Sequence, residues 1–309
     1  MFLSQNDLMI LNKFLTTPKP EKDLMNSFIN LITTSSKAHL EELHSMYDKT
    51  YTPDLLTSLK KTLSGNILNA SISLLTSSIE YDCLQLRNAM EGIGTDEDIL
   101  IEIIGTRTND ILKDIIQQYP KVNKGRDLIK DIKNETSGSF RQLLLLLLDG
   151  NKSYNCNINE EECSNCAKKL FEAYDKMWGS DDCVFNKIFA FKSPVELAFI
   201  CREYHKLSNY TLMKTIDTEF SGNNKKLLNT IINVLISPSE FFAKKINKAL
   251  NGVGKNEKLL IRILVTRRDI DLNQIKQYYK QLFRKNMIDD IKESFTGIFG
   301  KLIIGIAKG

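Results

Sequence analysis

Two stretches of sequence decide the fold: residues 90–95, Met-Glu-Gly-Ile-Gly-Thr, and residues 133–138, Lys-Asn-Glu-Thr-Ser-Gly. The two glycines of the first stretch allow a sharp backbone turn, so that carbonyl oxygens can face one point. Calcium accepts about six to eight oxygen ligands, and backbone carbonyls are among them. We therefore predict a calcium site made of three loop carbonyls and one bidentate carboxylate, with positions left open for water or a ligand oxygen. The predicted ligands are Met90, Gly92, Gly94 and Glu135.

The Ser/Thr-Gly pair of the second stretch occurs four times, with its glycine at Gly65, Gly138, Gly222 and Gly297. Each pair lies between segments with apolar residues at helical spacing, which indicates an internal repeat of about five short helices. The longest interval contains residues 149–162, a polar stretch that we interpret as a linker between two pairs of repeats. The predicted repeats are residues 1–75, 76–148, 163–236 and 237–309. In the second repeat, Thr95 and Asp98 match a helix-starting capping box.

The pairing of Met-x-Gly-x-Gly-Thr with a downstream acid-x-x-Gly resembles the calcium motif of the annexin family, and the resemblance covers nearly the whole chain. It implies an all-α fold of four annexin-type repeats of about five helices each, forming a curved disc. It also implies calcium-dependent binding to anionic, phosphatidylserine-like phospholipid membranes. Open calcium coordination at a surface loop suits this function, because lipid phosphate oxygens can complete the shell.

The third repeat departs from this motif and resembles a Lys-Trp-Gly-Thr-Asp variant found in some third repeats of the family. By that likeness the carbonyls of Tyr174, Met177 and Gly179 would face the ion, and Glu219 would supply the carboxylate. Trp178 is the only tryptophan of the chain. On an exposed loop it would contact the membrane, because an amphipathic ring suits the interface. The competing interpretation is an ordinary helix connection with a buried tryptophan.

The fourth repeat keeps a glycine loop, in which the carbonyl ligands would be Leu250, Gly252 and Gly254. Lys255 replaces the threonine and brings a positive charge beside the ion. The position in register for the acid is Ser294, and Glu293 lies one residue away. One residue on a helix turns a side chain by about 100°, so a site completed by Glu293 would bind calcium weakly.

The first repeat has lost the calcium loop. Residues 17–21 read Thr-Pro-Lys-Pro-Glu where the glycine loop belongs, and Thr62 stands where the acid belongs. Proline fixes the backbone and removes N–H groups, so the favoured interpretation is a solvated turn. Lys19 and Lys22 could touch phosphate directly.

Composition limits the function classes. The net charge of the 309-residue chain is only +4, and no basic block with interleaved aromatic residues points to nucleic acid. Residues 1–15 lack a secretory signal and the longest apolar run, residues 143–148, is too short to cross a bilayer. We expect a cytoplasmic protein, peripheral at the membrane. No catalytic constellation is visible, so we do not expect an enzyme.

Two alternatives remain. Residues 149–160 space oxygen ligands as an EF-hand does, but Tyr154 occupies the position that needs glycine. The second alternative is a calcium-independent cytoskeletal or flagellar scaffold of annexin fold, similar to the giardins of protists. The degenerate first and fourth repeats and the Asn- and Lys-rich composition are compatible with this class.

Overall fold

The protein is all-helical in the residues described by its structure, a computed structural model that covers residues 2–150, 158–175 and 182–309. The described helices follow one another in four sets of five, which confirms the predicted fold class. The first repeat contains α1 Phe2–Thr16, α2 Lys22–Thr34, α3 Lys37–Thr50, α4 Leu55–Thr62 and α5 Gly65–Leu75. The second contains α6 Ser78–Ala89, α7 Glu97–Thr106, α8 Asn109–Val122, α9 Leu128–Glu135 and α10 Gly138–Leu148.

The second half of the chain follows the same order. The third repeat contains α11 Glu160–Asp175, α12 Asp182–Phe191, α13 Pro194–Ser208, α14 Leu212–Glu219 and α15 Gly222–Ile236. The fourth contains α16 Pro238–Asn251, α17 Glu257–Arg267, α18 Leu272–Phe283, α19 Met287–Ser294 and α20 Gly297–Lys308. Helix α11 begins at Glu160, so the last three residues of the predicted linker 149–162 are helical. No described helix has the length and apolar character needed to cross a membrane.

Each repeat presents one residue at the same place, the end of its fourth helix. The four residues are Thr62, Glu135, Glu219 and Ser294. The fifth helix then starts at the glycine of the Ser/Thr-Gly pair, and Gly138, for example, has a φ of 61°. A side chain would strain this left-handed conformation, which explains why glycine recurs there. The turn between the fourth and fifth helices therefore fixes where the acid of each repeat can lie.

A buried tyrosine joins the third helix to the fourth in every repeat. Its hydroxyl contacts a polar residue on the fourth helix in each of four pairs: Tyr47 and Ser58, Tyr119 and Asp131, Tyr204 and Thr215, and Tyr279 and Asp290. A buried hydroxyl needs a partner, so these contacts hold the short fourth helix in place. They thereby position the residue at its end.

The repeats group into two compact units, and the grouping differs from the order along the chain. One unit contains Met1–Ser78 and Ser239–Gly309, which are the first and fourth repeats; the other contains Ile79–Pro238, the second and third. The position of the linker had suggested that the first repeat pairs with the second and the third with the fourth. Within each unit, the second helix of one repeat packs against the fifth helix of the other. These contacts join α2 to α20, α17 to α5, α7 to α15, and α12 to α10.

A glycine allows close approach at one such contact in each unit. A Cβ atom on Gly305 of α20 would lie 2.8 Å from Thr33 Cγ2 of α2. A Cβ atom on Gly105 of α7 would lie 2.9 Å from Leu227 Cδ1 of α15. Both distances are shorter than real Cβ contacts, so a larger residue at either position would require its neighbour to shift. Apolar side chains of the paired repeats then share one core in each unit.

Candidate metal centre

The loop of the second repeat connects α6 to α7. It closes through a hydrogen bond from the Asp96 backbone N–H to the Ala89 carbonyl, with an N···O distance of 2.8 Å. The Asp96 carboxylate caps α7 by accepting from the Ile99 N–H at 3.3 Å. The N-cap of α7 is therefore Asp96. The capping box predicted from Thr95 and Asp98 was wrong about the capping residue. Thr95 is free for another contact because Asp96 starts the helix.

The backbone between these ends turns at two glycines. Gly92 has a φ of 104° and Gly94 a φ of 85°, a region that side chains rarely allow. Among the described residues, no hydrogen bond ends on the carbonyl oxygen of Met90, Gly92 or Gly94. Met90 buries its side chain in the core, which anchors the start of the loop. The three predicted carbonyl ligands are thus acceptors without a protein donor.

Glu135 reaches this loop from 40 residues further along the chain. The Thr95 hydroxyl lies 3.2 Å from the Glu135 carboxylate atom Oε2 and 3.2 Å from the Glu135 carbonyl oxygen. The contact brings the exposed end of α9 against the last residue of the glycine turn. The structure thus brings together the two stretches that the sequence paired.

Asp131, one turn before Glu135 on α9, holds the helix that carries this acid. Its carboxylate accepts from the Tyr119 hydroxyl at 2.8 Å and from Arg126 at 2.7 Å, and Arg87 lies 3.7 Å away. Burial opposes ionisation, but the hydrogen bonds from Arg126 and Tyr119 outweigh it and lower the pKa of Asp131. Asp131 is therefore an ionised positioning group for the end of α9.

Asp131→Asn tests this through the pH dependence of stability. A lowered pKa in the folded state means that ionised Asp131 stabilises the protein above its ordinary pKa of about 4. That stabilisation is lost as pH falls through the folded-state pKa. The free energy of unfolding is measured with urea between pH 7 and pH 2.5. Below pH 4, we expect wild type to lose about 1–3 kcal/mol more of this free energy than Asp131→Asn loses. Asp289→Asn, at an exposed pair with Lys292, should leave the wild-type slope unchanged.

These residues fit calcium. The donors are uncharged carbonyl oxygens and one carboxylate, which are the ligands of a hard cation. Within the described ranges, no three His, Cys, Asp or Glu side chains gather closely enough to hold a metal. The second-repeat loop differs from such clusters because backbone oxygens would supply most of the ligands.

The loop of the fourth repeat keeps the closing bond, from the Asn256 N–H to the Ala249 carbonyl at 2.9 Å. The first glycine of this loop, Gly252, differs in conformation from Gly92. The Gly252 N–H donates to the Lys248 carbonyl at 3.0 Å, and Gly252 lacks the positive φ of Gly92. Leu250 remains within α16. The structure places Glu293 3.9 Å from Lys285, with 74% of its side chain exposed. The fourth ligand set stays a prediction.

The third repeat is only partly described. Met177, Trp178 and Gly179 lie outside the described residues, and so does most of the EF-hand-like stretch. Tyr174 belongs to the last turn of α11, and Glu219 is exposed at the end of α14. The acid therefore stands at the same helix end as Glu135.

In the first repeat a neutral contact stands at the acid position. The Thr62 hydroxyl donates to the Leu15 carbonyl at 3.1 Å, which ties the end of α4 to the end of α1. The predicted loop residues 17–21 follow directly after α1. Thr62 brings no charge to this loop.

The sequence patterns did not predict one feature of the loops. Ile93 and Val253, between the paired glycines of the second and fourth repeats, have fully exposed side chains. The only signal was the apolar residue inside each Gly-x-Gly. Neither side chain packs against the rest of the chain in the part that the structure describes.

Comparison with known proteins agrees with this architecture. The family model described as Annexin matches residues 81–147, 166–231 and 241–306. Annexin A1 of Homo sapiens is 35% identical over 283 residues, which cover 92% of this chain and 82% of annexin A1. The structure of annexin III is 32% identical, covers 99% of this chain and 94% of its own, and superposes with a TM-score of 0.93.

A more distant likeness concerns the fold alone. The calcium-bound structure of alpha-14 giardin is 18% identical, covers 97% of this chain and 97% of its own, and has a TM-score of 0.79. The three segments matched by the family model lie in the second, third and fourth repeats and make up more than half of the chain. The chain belongs to the annexin family.

Proposed function

We propose that this annexin binds anionic phospholipid membranes through calcium held in the loop of the second repeat. One observation carries the proposal. The Glu135 carboxylate lies against Thr95, at the end of a glycine turn whose carbonyl oxygens accept no hydrogen bond among the described residues. Unused carbonyls and a nearby carboxylate favour a hard cation at this loop.

The charge of the site explains the dependence on lipid. One carboxylate and neutral carbonyls leave a divalent cation with net positive charge and with open coordination. Lipid phosphate oxygens would fill these positions, so that calcium and membrane each raise the affinity for the other. In the absence of membrane, the site should bind calcium weakly.

The surroundings of the loop suit a bilayer surface. Exposed Ile93 would enter the apolar boundary while the ion contacts phosphate. A surface recess of ≈ 490 Å³ adjoins the loop, lined by Ile93, Thr95 and Lys226 among others. The Lys226 ammonium lies 3.0 Å from the Asp98 carboxylate and adds one positive charge to the lining of this recess.

We extend the proposal to the third repeat, with Tyr174, Met177, Gly179 and Glu219 as ligands and Trp178 as a membrane contact. Glu219 supports it because it ends α14 as Glu135 ends α9. Calcium bound by Leu250, Gly252, Gly254 and Glu293 in the fourth repeat has weaker support, since Glu293 lies near Lys285. We assign the protein a cytoplasmic, membrane-peripheral location and no enzymatic activity.

Vesicle sedimentation tests the function. We expect the protein to pellet with phosphatidylserine vesicles when calcium is present, to stay in the supernatant with phosphatidylcholine vesicles, and to be released by a chelator at physiological salt. Emission from Trp178 gives a second readout and should shift to the blue only when calcium and acidic vesicles are both present. Equal pelleting with calcium and with chelator would reject the proposal.

That rejecting result would favour the calcium-independent scaffold. The lost first loop and the altered fourth loop give this class its support. A partner on the cytoskeleton or flagella would then replace the membrane.

A further inference from the structure

The loops of the second and fourth repeats share one frame. Each closes with the same backbone bond, from Asp96 to Ala89 at 2.8 Å and from Asn256 to Ala249 at 2.9 Å. Each closing residue also caps the next helix with its own side chain. Thr95 and Lys255, which directly precede these residues, therefore occupy the same place in the two loops.

The contacts made from that place differ in charge. Thr95 contacts both the carbonyl oxygen and the carboxylate of Glu135, the last residue of α9. The Lys255 ammonium donates to the carbonyl of Ser294, the last residue of α19, at 2.5 Å. It also lies 5.1 Å from the centre of the Phe295 ring, a favourable position for a cation. A cation of the protein itself thus stands against the helix end where the second repeat has its acid.

Among the described residues, no negative charge is paired with the Lys255 ammonium. Ser294 carries none, and Glu293 lies near Lys285, on a largely exposed side chain. A calcium ion at this loop would meet an ammonium group without a carboxylate to offset the repulsion. An exposed ammonium has three donors, and the contact with Ser294 uses one.

We propose that the fourth-repeat loop binds the headgroup phosphate of anionic lipids directly, with Lys255 in the role that calcium has in the second repeat. The inference rests on the proposed membrane function and adds a contact that needs no calcium. Val253, fully exposed two residues before Lys255, would enter the bilayer boundary beside it. The contact should weaken with added salt, because it joins exposed charges.

The test measures binding to phosphatidylserine vesicles in chelator at low salt. We expect Lys255→Gln to reduce this residual binding several-fold, and Lys255→Arg to keep it. Lys258→Gln removes an equal charge from an exposed position on α17 and should have little effect. Equal losses in Lys255→Gln and Lys258→Gln would overturn the inference, as would no loss in either. The calcium-dependent binding of wild-type protein is measured separately, so failure of the proposed function remains distinguishable.

Two further measurements address the ligand and the ion. Inorganic phosphate, at a concentration equal to that of the lipid, should leave the residual binding unchanged; release by it would overturn the assignment to lipid. Titration calorimetry should detect one more calcium ion bound to Lys255→Thr/Ser294→Glu than to wild type in the presence of vesicles. Loss of a calcium ion from wild type on Glu293→Gln would instead identify the loop as a calcium site and overturn the inference. Thermal melting of Lys255→Gln within about 2 °C of wild type verifies that the fold is intact.

Discussion

Glu135→Gln should raise the calcium concentration needed for half-maximal binding to phosphatidylserine vesicles by on the order of tenfold or more. The substitution keeps the size of the side chain but removes the carboxylate that contacts Thr95 at the second-repeat loop. A neutral amide cannot chelate calcium with two anionic oxygens, so the ion loses both charge compensation and a ligand. The measurement is a calcium titration of vesicle sedimentation at fixed lipid and salt.

Glu293→Gln is the matched control, because it makes the same change near the end of the equivalent helix α19. Its side chain is exposed and lies near Lys285, so we expect less than a twofold change. A larger loss from Glu293→Gln than from Glu135→Gln would contradict our ranking of the two loops. A partial effect of Glu135→Gln that becomes complete with Glu219→Gln would identify the third repeat as the second calcium site.

Asp82→Ala should lower the free energy of unfolding by about 3–5 kcal/mol. Asp82 of α6 and Arg107, which caps α7, form a two-pronged ion pair with N···O distances of 2.7 and 2.9 Å. The two side chains have only 3% and 9% exposure, so removing the carboxylate takes a closely paired negative charge away from a largely desolvated guanidinium. The pair also joins α6 and α7, the two helices that flank the second-repeat loop. Urea unfolding followed by circular dichroism measures the effect.

Asp98→Ala provides the comparison, because Asp98 pairs with Lys226 at an exposed site. Exposed pairs contribute about 0–1 kcal/mol, so this variant should unfold close to wild type. The double variant Asp82→Ala/Arg107→Ala should recover part of the loss, since it removes the guanidinium together with its counter-charge. If Asp82→Ala and Asp98→Ala cost the same, the pair does not hold α6 to α7.

The sequence by itself determined the repeat, the helical class and the pairing of the Met90–Thr95 loop with Glu135. These features are local. The helical spacing of apolar residues and the glycine at each left-handed turn can be recognised within short stretches of sequence. The four Ser/Thr-Gly pairs then locate the acid position in every repeat. The same spacing located Thr62 and Ser294 as the two positions without an acid.

Only the tertiary structure decided which repeats share a core and what each loop contacts. The first repeat packs with the fourth and the second with the third through contacts between second and fifth helices, and Gly105 and Gly305 permit close approach at two of these contacts. Sequence order carries no information about such distant contacts. The same holds for Lys255, which the sequence marked only as a charge beside a possible ion. Its ammonium position against Ser294 depends on where α19 ends relative to the loop, and that placement arises from packing of the whole repeat.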